Sequence, residues 1–269
     1  MTTNASSELD TLRRDLVDEQ AALDEVVGDI KDQEWQRATP SPGWSVADQI
    51  GHLTYFDTSA ATAIADPDDF RIGVSELVAG ATNEGFDTFT LGGFRSLSPN
   101  EQLAAWRRAR RALADAAQSL RDETRVPWYG PPMSAKSFLS ARLMETWAHG
   151  IDVASALDVT RPPTERLRHV ARLGFITRRW SYQVRGEELP AGDVRLELTS
   201  PAGETWTWGP ASGVDTVKGP AEEFCLVVTQ RRHVDDTSLV AGDLGHHWLV
   251  RAQAFAGAAS DGPKPRNIA

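Results

Sequence analysis

Two side chains that commonly bind metals, Glu145 and His149, are four residues apart in the stretch from Arg142 to Asp152. The stretch is typical of a helix, and residues four apart lie on the same helix face. A carboxylate and an imidazole that project together can supply two ligands to one metal ion. Asp152, three residues after His149, lies on the same side of the helix. It is a candidate for a further ligand or for a partner that supports the ligands. Such pairs are also common without a metal. A third ligand from elsewhere in the chain is therefore needed to indicate a metal site.

His52 is the candidate for that third ligand. It lies on a helix predicted over residues 46–64, which begins with Ser45 as N-cap and Asp48 in the capping-box position. The alternative for His52 is a buried imidazole that is hydrogen-bonded to the backbone. Gly51, which precedes it, allows another helix or a ligand to approach closely.

The elements that position these residues are mainly helices. Apolar residues at helical spacing, together with capping signals, predict helices over residues 8–30, 46–64, 74–81, 99–121, 135–157, 163–182, 219–230 and 246–255. Strict alternation over residues 194–199 and a returning run at 205–208 predict a hairpin, and 214–218 is short and β-like. We therefore expect an α+β protein with two domains, a helical domain over residues 1–185 and a small α+β domain over residues 186–269.

Composition excludes several function classes. The chain has 269 residues and a net charge of -10, which argues against general binding to nucleic acids. The densest basic run, residues 107–111, is typical of a solvated helix face. The single cysteine, Cys225, excludes an internal disulfide and is predicted to be a buried structural thiol.

The sequence also indicates where the protein works. No stretch approaches the roughly 18 apolar residues that a membrane span needs, and no signal peptide is evident. We therefore expect a cytoplasmic protein that acts on a small molecule, without a nucleic-acid or membrane partner. The oligomeric state stays open.

One segment before His52 carries a resemblance. The run from Pro42 to Leu53, PGWSVADQIGHL, resembles the first metal-binding signature of the DinB-like superfamily, and within it the mycothiol-dependent maleylpyruvate isomerase group. Glu145 and His149 match the Glu-x-x-x-His helix of that group. Residues 206–210, 219–221 and 229–232 are similar to its C-terminal domain. The resemblance covers most of the chain, with residues 66–99 the least specific part.

The resemblance implies a DinB-like four-helix bundle in which His52, Glu145 and His149 bind one divalent metal, typically zinc. Two neutral nitrogens and one carboxylate leave zinc with a net positive charge and an open coordination position, as a catalytic site needs. In the group's namesake, the thiol of mycothiol is activated as a thiolate that adds to an unsaturated diacid.

Four further residues are assigned roles on this basis. Arg231 and Arg232 are candidates to bind a substrate carboxylate or the thiol cofactor, or else form a solvated pair at a helix end. Tyr129, in the aromatic loop over residues 126–133, and Asp152 are candidates for proton transfer or for support of the metal ligands.

Three functions fit the sequence. The first is a metal-dependent enzyme that uses a low-molecular-weight thiol for isomerisation or S-transfer on an electrophile. A second is a metalloenzyme without a thiol, which carries out hydrolysis or a tailoring step on an apolar metabolite; the aromatic loop favours a substrate less polar than a small diacid. A third is a metal-containing binding protein without turnover.

Overall fold

A computed structural model of the chain describes residues 7–266, apart from the side chains of Asn83 and Glu84. The helices of this part are α1 (Glu8–Val27), α2 (Val46–Ala65), α3 (Pro67–Glu84), α4 (Phe86–Arg95), α5 (Pro99–Ala117), α6 (Ala135–Leu157), α7 (Leu167–Ile176), α8 (Arg178–Gln183), α9 (Ala221–Val228) and α10 (Asp243–Leu249). Its strands are β1 (Arg125–Val126), β2 (Met133–Ser134), β3 (Val194–Thr199), β4 (Thr205–Trp208) and β5 (Asp215–Pro220). Short 3-10 helices cover Glu34–Gln36 and Val234–Asp236.

The chain divides into two compact units, residues 1–161 and 162–269. The boundary between the units lies earlier in the chain than residue 185, where the sequence predicts it. The reason is that α7 packs closely on α9 within the second unit. A Cβ atom added at Gly174 of α7 would lie 2.7 Å from a methyl carbon of Val228 and 3.1 Å from the ring of Phe224. Helix α7 therefore belongs with the strands that follow it.

The first unit is a bundle of α1, α2, α5 and α6, as the resemblance implied. Its core is formed by side chains from all four helices and from the 3-10 helix: Leu23, Val27, Trp35, Val46, Ile50, Leu53, Leu103, Trp106, Val153 and Leu157. Capping boxes begin two of these helices, with Ser45 and Asp48 at α2 and with Ser98 and Glu101 at α5. The first of these confirms the capping box predicted at Ser45 and Asp48.

The connection between α2 and α5 is more helical than the sequence predicts. A single short helix over residues 74–81 is wrong in extent, because α3 and α4 together cover nearly the whole segment. One glycine of this segment allows close packing, since a Cβ atom at Gly80 would lie 1.9 Å from a ring carbon of Phe89. Gly85, at φ +89°, separates the two helices.

Gly51 of α2 has a comparable role on the face that meets α4. A Cβ atom there would lie 3.2 Å from Cβ of Phe94 and 3.5 Å from a methyl carbon of Leu91. The missing side chain therefore lets α4 lie against α2 one residue before His52.

Replacing Gly51 by leucine should lower the free energy of unfolding by about 1–3 kcal/mol, because the larger side chain overpacks the contact between α2 and α4. Gly73 of α3 is the matched control, since a Cβ atom there meets nothing within 4 Å. Gly73→Ala should instead stabilise the protein by up to about 1 kcal/mol through helix propensity. Urea denaturation of the two variants measures both effects, and a neutral Gly51→Leu would contradict the close approach of α4.

The second unit combines a three-stranded sheet with α7 to α10. The sheet order is β4-β3-β5, in which β3 pairs antiparallel with β4 and parallel with β5. The predicted hairpin is thereby confirmed, with Leu196 opposite Trp208. The predicted helix over residues 163–182 is instead two helices. Thr177 ends the first of them, where its hydroxyl donates to the carbonyl of Leu173 at 2.8 Å.

Cys225 is fully buried in α9 of this unit. Its thiol donates to the carbonyl oxygen of Leu167 at 3.6 Å, and burial raises its pKa well above the ordinary value. Because a thiol in this state is a poor nucleophile, Cys225 is structural, as its apolar surroundings in the sequence predict.

Among the helices described, none is both long and apolar enough to cross a membrane.

Candidate metal centre

The side chains of His52, Glu145 and His149 lie together in the first unit, with one ligand atom of each within 4.8 Å of the others. Nε2 of His149 is 3.1 Å from Oε2 of Glu145, and Nε2 of His52 is 3.6 Å from the same oxygen. Ligand atoms at ordinary zinc distances in tetrahedral geometry are about 3.3 Å apart. The spacing thus fits a divalent metal with small adjustments of rotamer.

Two helices and one turn position this triad. Helix α2 carries His52, and α6 carries Glu145 and His149 one helical turn apart. Before α2, the backbone N–H of Trp44 donates to the carbonyl of Ser41 at 3.1 Å. Gly43 at φ +79° follows Pro42 in this turn, which is the type II pattern. The turn brings Trp44 against both imidazoles.

Trp44 covers one side of the triad. Its ring stacks on His149 with a centroid distance of 6.0 Å and an angle of 14°, and its centroid is 5.2 Å from that of His52. Its indole N–H donates to Asp87 of α4 at 2.8 Å. The side chains of His52, Glu145 and His149 are still 13%, 20% and 10% exposed, so the triad is reachable from solvent.

The charges of the triad suit a divalent cation. Burial and the neighbouring His149 lower the pKa of His52 to about 4, so His52 is neutral at pH 7. Burial alone would raise the pKa of Glu145, but hydrogen bonds from His149 and His52 more than offset this and hold it well below the ordinary value. A neutral imidazole and an ionised carboxylate are the forms that bind metal ions.

The structure brings Asp152 close to the turn before α2. Its carboxylate is buried and accepts a hydrogen bond from the hydroxyl of Ser41 at 3.1 Å. Among the residues described, the cluster able to share one ion is the triad, without Asp152. Asp152 thus ties the Ser41 turn to α6, and a role in proton transfer stays a prediction.

An aromatic wall, formed by Phe56, Phe86, Trp128 and Tyr129, borders the triad on the side of His52. Phe56, one turn beyond His52, has its ring centroid 4.6 Å from that of His52 and 5.6 Å from that of Tyr129. Trp128 and Phe86 are each 6.3 Å from Phe56. Tyr129 therefore belongs to this aromatic wall. Burial raises the pKa of Tyr129, which keeps its hydroxyl protonated and able to donate.

Arg231 and Arg232 follow α9 in the second unit. A guanidinium N–H of Arg231 donates to the carbonyl of Thr229 at 2.6 Å. Nη1 of Arg232 is 3.8 Å from a carboxylate oxygen of Glu223. Their role in binding a substrate or a thiol stays a prediction.

Sequence reasoning missed three buried polar residues of the first unit. Gln49 contacts Nδ1 of His149, and Arg142 forms an ion pair with Asp57 at 2.9 Å. Two of them were detectable by spacing, since Gln49 and Arg142 lie three residues before His52 and Glu145, respectively, on the same helix faces. Asp57 carried no comparable signal.

The N-terminal part of the chain matches a described protein family. Residues 16–154, more than half of the chain, match the family model of the mycothiol maleylpyruvate isomerase N-terminal domain. The chain belongs to this family. Residues 190–242 match a second model, which is described as wyosine base formation.

Relatives of this isomerase-family protein extend the match over nearly the whole chain. Uncharacterised proteins of Mycobacterium tuberculosis, from strains CDC 1551 / Oshkosh and H37Rv, are each 44% identical over 246 residues. These matches cover 90% of this chain and 94% of each relative.

Solved structures show the same fold. The crystal structure of the mycothiol-dependent maleylpyruvate isomerase has a TM-score of 0.58 and 16% identity, and covers 90% of this chain and 96% of that one. A mutant of that isomerase, in which one histidine is replaced by alanine, has a TM-score of 0.59 over the same shares. The likeness confirms the predicted α+β fold, with a helical bundle followed by a small sheet-containing part.

Proposed function

We propose that this protein is a divalent-metal-dependent enzyme that uses a low-molecular-weight thiol, similar to mycothiol, for isomerisation or S-transfer on an electrophilic small molecule. The observation that carries the proposal is the convergence of His52, Glu145 and His149 within 4.8 Å. The triad is partly open to solvent, as a catalytic rather than a closed structural site requires. The family match supports the thiol as cosubstrate.

The residues of the site have different roles in this proposal: metal binding, shielding from water and proton donation. His52, Glu145 and His149 would hold the metal, and two imidazoles with one carboxylate form a donor set that suits zinc. A bound metal would lower the pKa of a thiol and so supply a thiolate nucleophile at neutral pH. Trp44 and Phe56 shield the imidazoles from water on two sides. Tyr129 is the candidate to donate a proton to the reacting molecule.

The aromatic wall favours a second candidate, a metalloenzyme that acts without a thiol on an apolar metabolite. Phe56, Phe86 and Trp128 lie on the side of His52, and apolar side chains in such a position favour an apolar substrate. Dependence on a thiol separates the two candidates.

The first experiment compares metal content and reactivity in the wild type and His149→Ala. We expect about one divalent ion per chain in the wild type and loss of that ion in the variant. With a panel of electrophiles, turnover in the wild type should require both the metal and mycothiol. Turnover with metal but without any thiol would favour the second candidate. A protein that takes up no metal from zinc-containing buffer would overturn both.

A further inference from the structure

The amide of Gln49 lies between the metal centre and the turn that precedes α2. Gln49 is fully buried, and its side chain bridges two groups. Its Oε1 is in short contact with Nδ1 of His149, and its Nε2 donates to the hydroxyl oxygen of Thr39 at 2.9 Å. The position of Thr39 is fixed in turn, since its backbone N–H donates to the carbonyl of Trp44 at 2.8 Å.

The direction of each hydrogen bond follows from the one before it. The carbonyl of Trp44 can only accept, so the hydroxyl of Thr39, 3.0 Å away, must donate its single hydrogen there. The Thr39 oxygen then accepts from the NH₂ group of Gln49, which leaves the carbonyl oxygen of Gln49 facing His149. This oxygen can only accept, so Nδ1 of His149 must carry a hydrogen.

We infer that Gln49 is a positioning residue that keeps a hydrogen on Nδ1 of His149, so that Nε2, beside Glu145, is the nitrogen that faces the metal position. The part of this inference that concerns metal affinity rests on the proposed function. A fixed tautomer and ring orientation raise metal affinity because the free imidazole no longer has to be reorganised on binding.

The two histidines of the triad differ in this respect. Nδ1 of His52 is buried and has no hydrogen-bond partner among the residues described, so no group outside the triad holds that side of its ring. Among the residues described, a hydrogen bond from outside the triad therefore supports Nδ1 of His149 but not Nδ1 of His52. The chain of bonds also couples His149 to the Trp44 turn, whose ring stacks on the same imidazole.

The tautomer can be measured in the metal-free protein by long-range ¹H–¹⁵N correlation spectra of the histidine rings. The signals of His149 are identified by their absence in His149→Gln. We expect Nδ1 of His149 to be protonated in the wild type. In Gln49→Leu the acceptor is lost, so the ring should carry its hydrogen at Nε2, where Glu145 accepts it, and no longer at Nδ1. An unprotonated Nδ1 in the wild type, or an unchanged spectrum in Gln49→Leu, would overturn the inference.

Metal affinity is the second readout, measured with Co²⁺ by chelator competition and by its visible absorption. Gln49→Leu should bind about 10–100-fold more weakly than the wild type. Gln49→Glu keeps an acceptor for Nδ1–H and should retain an affinity near that of the wild type. Equal losses in both variants would mean that Gln49 only fills space. If the wild type binds neither Co²⁺ nor Zn²⁺, the proposed function fails, while the spectra still decide the tautomer.

Discussion

Alanine in place of His52, Glu145 or His149 will lower the affinity for a divalent metal by more than about 100-fold, since loss of a merely supporting residue already costs 10–100-fold. Each substitution removes one of the three protein ligands that the triad offers. The proposed thiol-dependent reaction should be lost together with the metal. Competition with a chelator of known affinity measures the first effect, and turnover with excess metal measures the second.

Stability provides an independent measure of the same site. A ligand that binds only the folded state stabilises it by about 4 kcal/mol when its free concentration is 1,000 times Kd. Chelator treatment should therefore lower the Tm of the wild type, and added Zn²⁺ should restore it. The Tm of the three alanine variants should respond to neither treatment.

His246→Ala is the matched control for these variants. His246 is a surface histidine of α10, where its Nε2 lies 2.9 Å from a carboxylate oxygen of Asp235. This variant should bind metal and respond to chelator as the wild type does. A triad variant that keeps wild-type affinity and activity would show that its residue is not a ligand.

Local sequence patterns predicted the elements that carry the site. The i, i+4 spacing of Glu145 and His149 places both on one face of α6, and the capping box at Ser45 fixes where α2 begins. The resemblance of the segment that precedes His52 supplied the third member of the triad. These are short-range features, in which the identity of a few neighbouring residues determines the local backbone.

The parts that sequence did not predict depend on contacts distant in the chain. The bond between Gln49 and His149 joins residues 100 positions apart, and the pair of Asp57 and Arg142 joins residues 85 positions apart. No local sequence pattern predicts which buried polar side chains will contact each other. For the same reason, the extent of α3 and α4 was missed, because Gly80 is recognisable as a packing position only when Phe89 lies against it.

Replacing Arg142 by methionine will destabilise the first unit by about 3–5 kcal/mol, because it leaves the carboxylate of Asp57 buried and unpaired. Both side chains are almost inaccessible to solvent, at 4% for Arg142 and 0% for Asp57. Two guanidinium N–H groups donate to one oxygen of Asp57 at 2.9 and 3.2 Å, and the amide of Gln20 donates to the other at 3.1 Å. Urea denaturation measures the loss.

Two further variants separate the buried charge from simple loss of packing. Arg142→Met combined with Asp57→Asn removes both charges while an oxygen still accepts from Gln20, so at least half of the lost stability should return. Arg37→Met removes a surface ion pair with Glu34 and should cost less than about 1 kcal/mol. A double variant as unstable as Arg142→Met would mean that packing, not charge, causes the loss.

The pH dependence of the loss tests the same cause. Burial raises the pKa of Asp57, and the guanidinium of Arg142 opposes that rise. Without Arg142 the pKa should rise further above its value in the unfolded chain, so the folded protein binds the extra proton and loses stability as the pH increases. The deficit of Arg142→Met relative to the wild type should therefore be larger at about pH 8 than at about pH 5. Because Arg142 lies one helical turn before Glu145 on α6, the same variant should also loosen the carboxylate that both imidazoles contact.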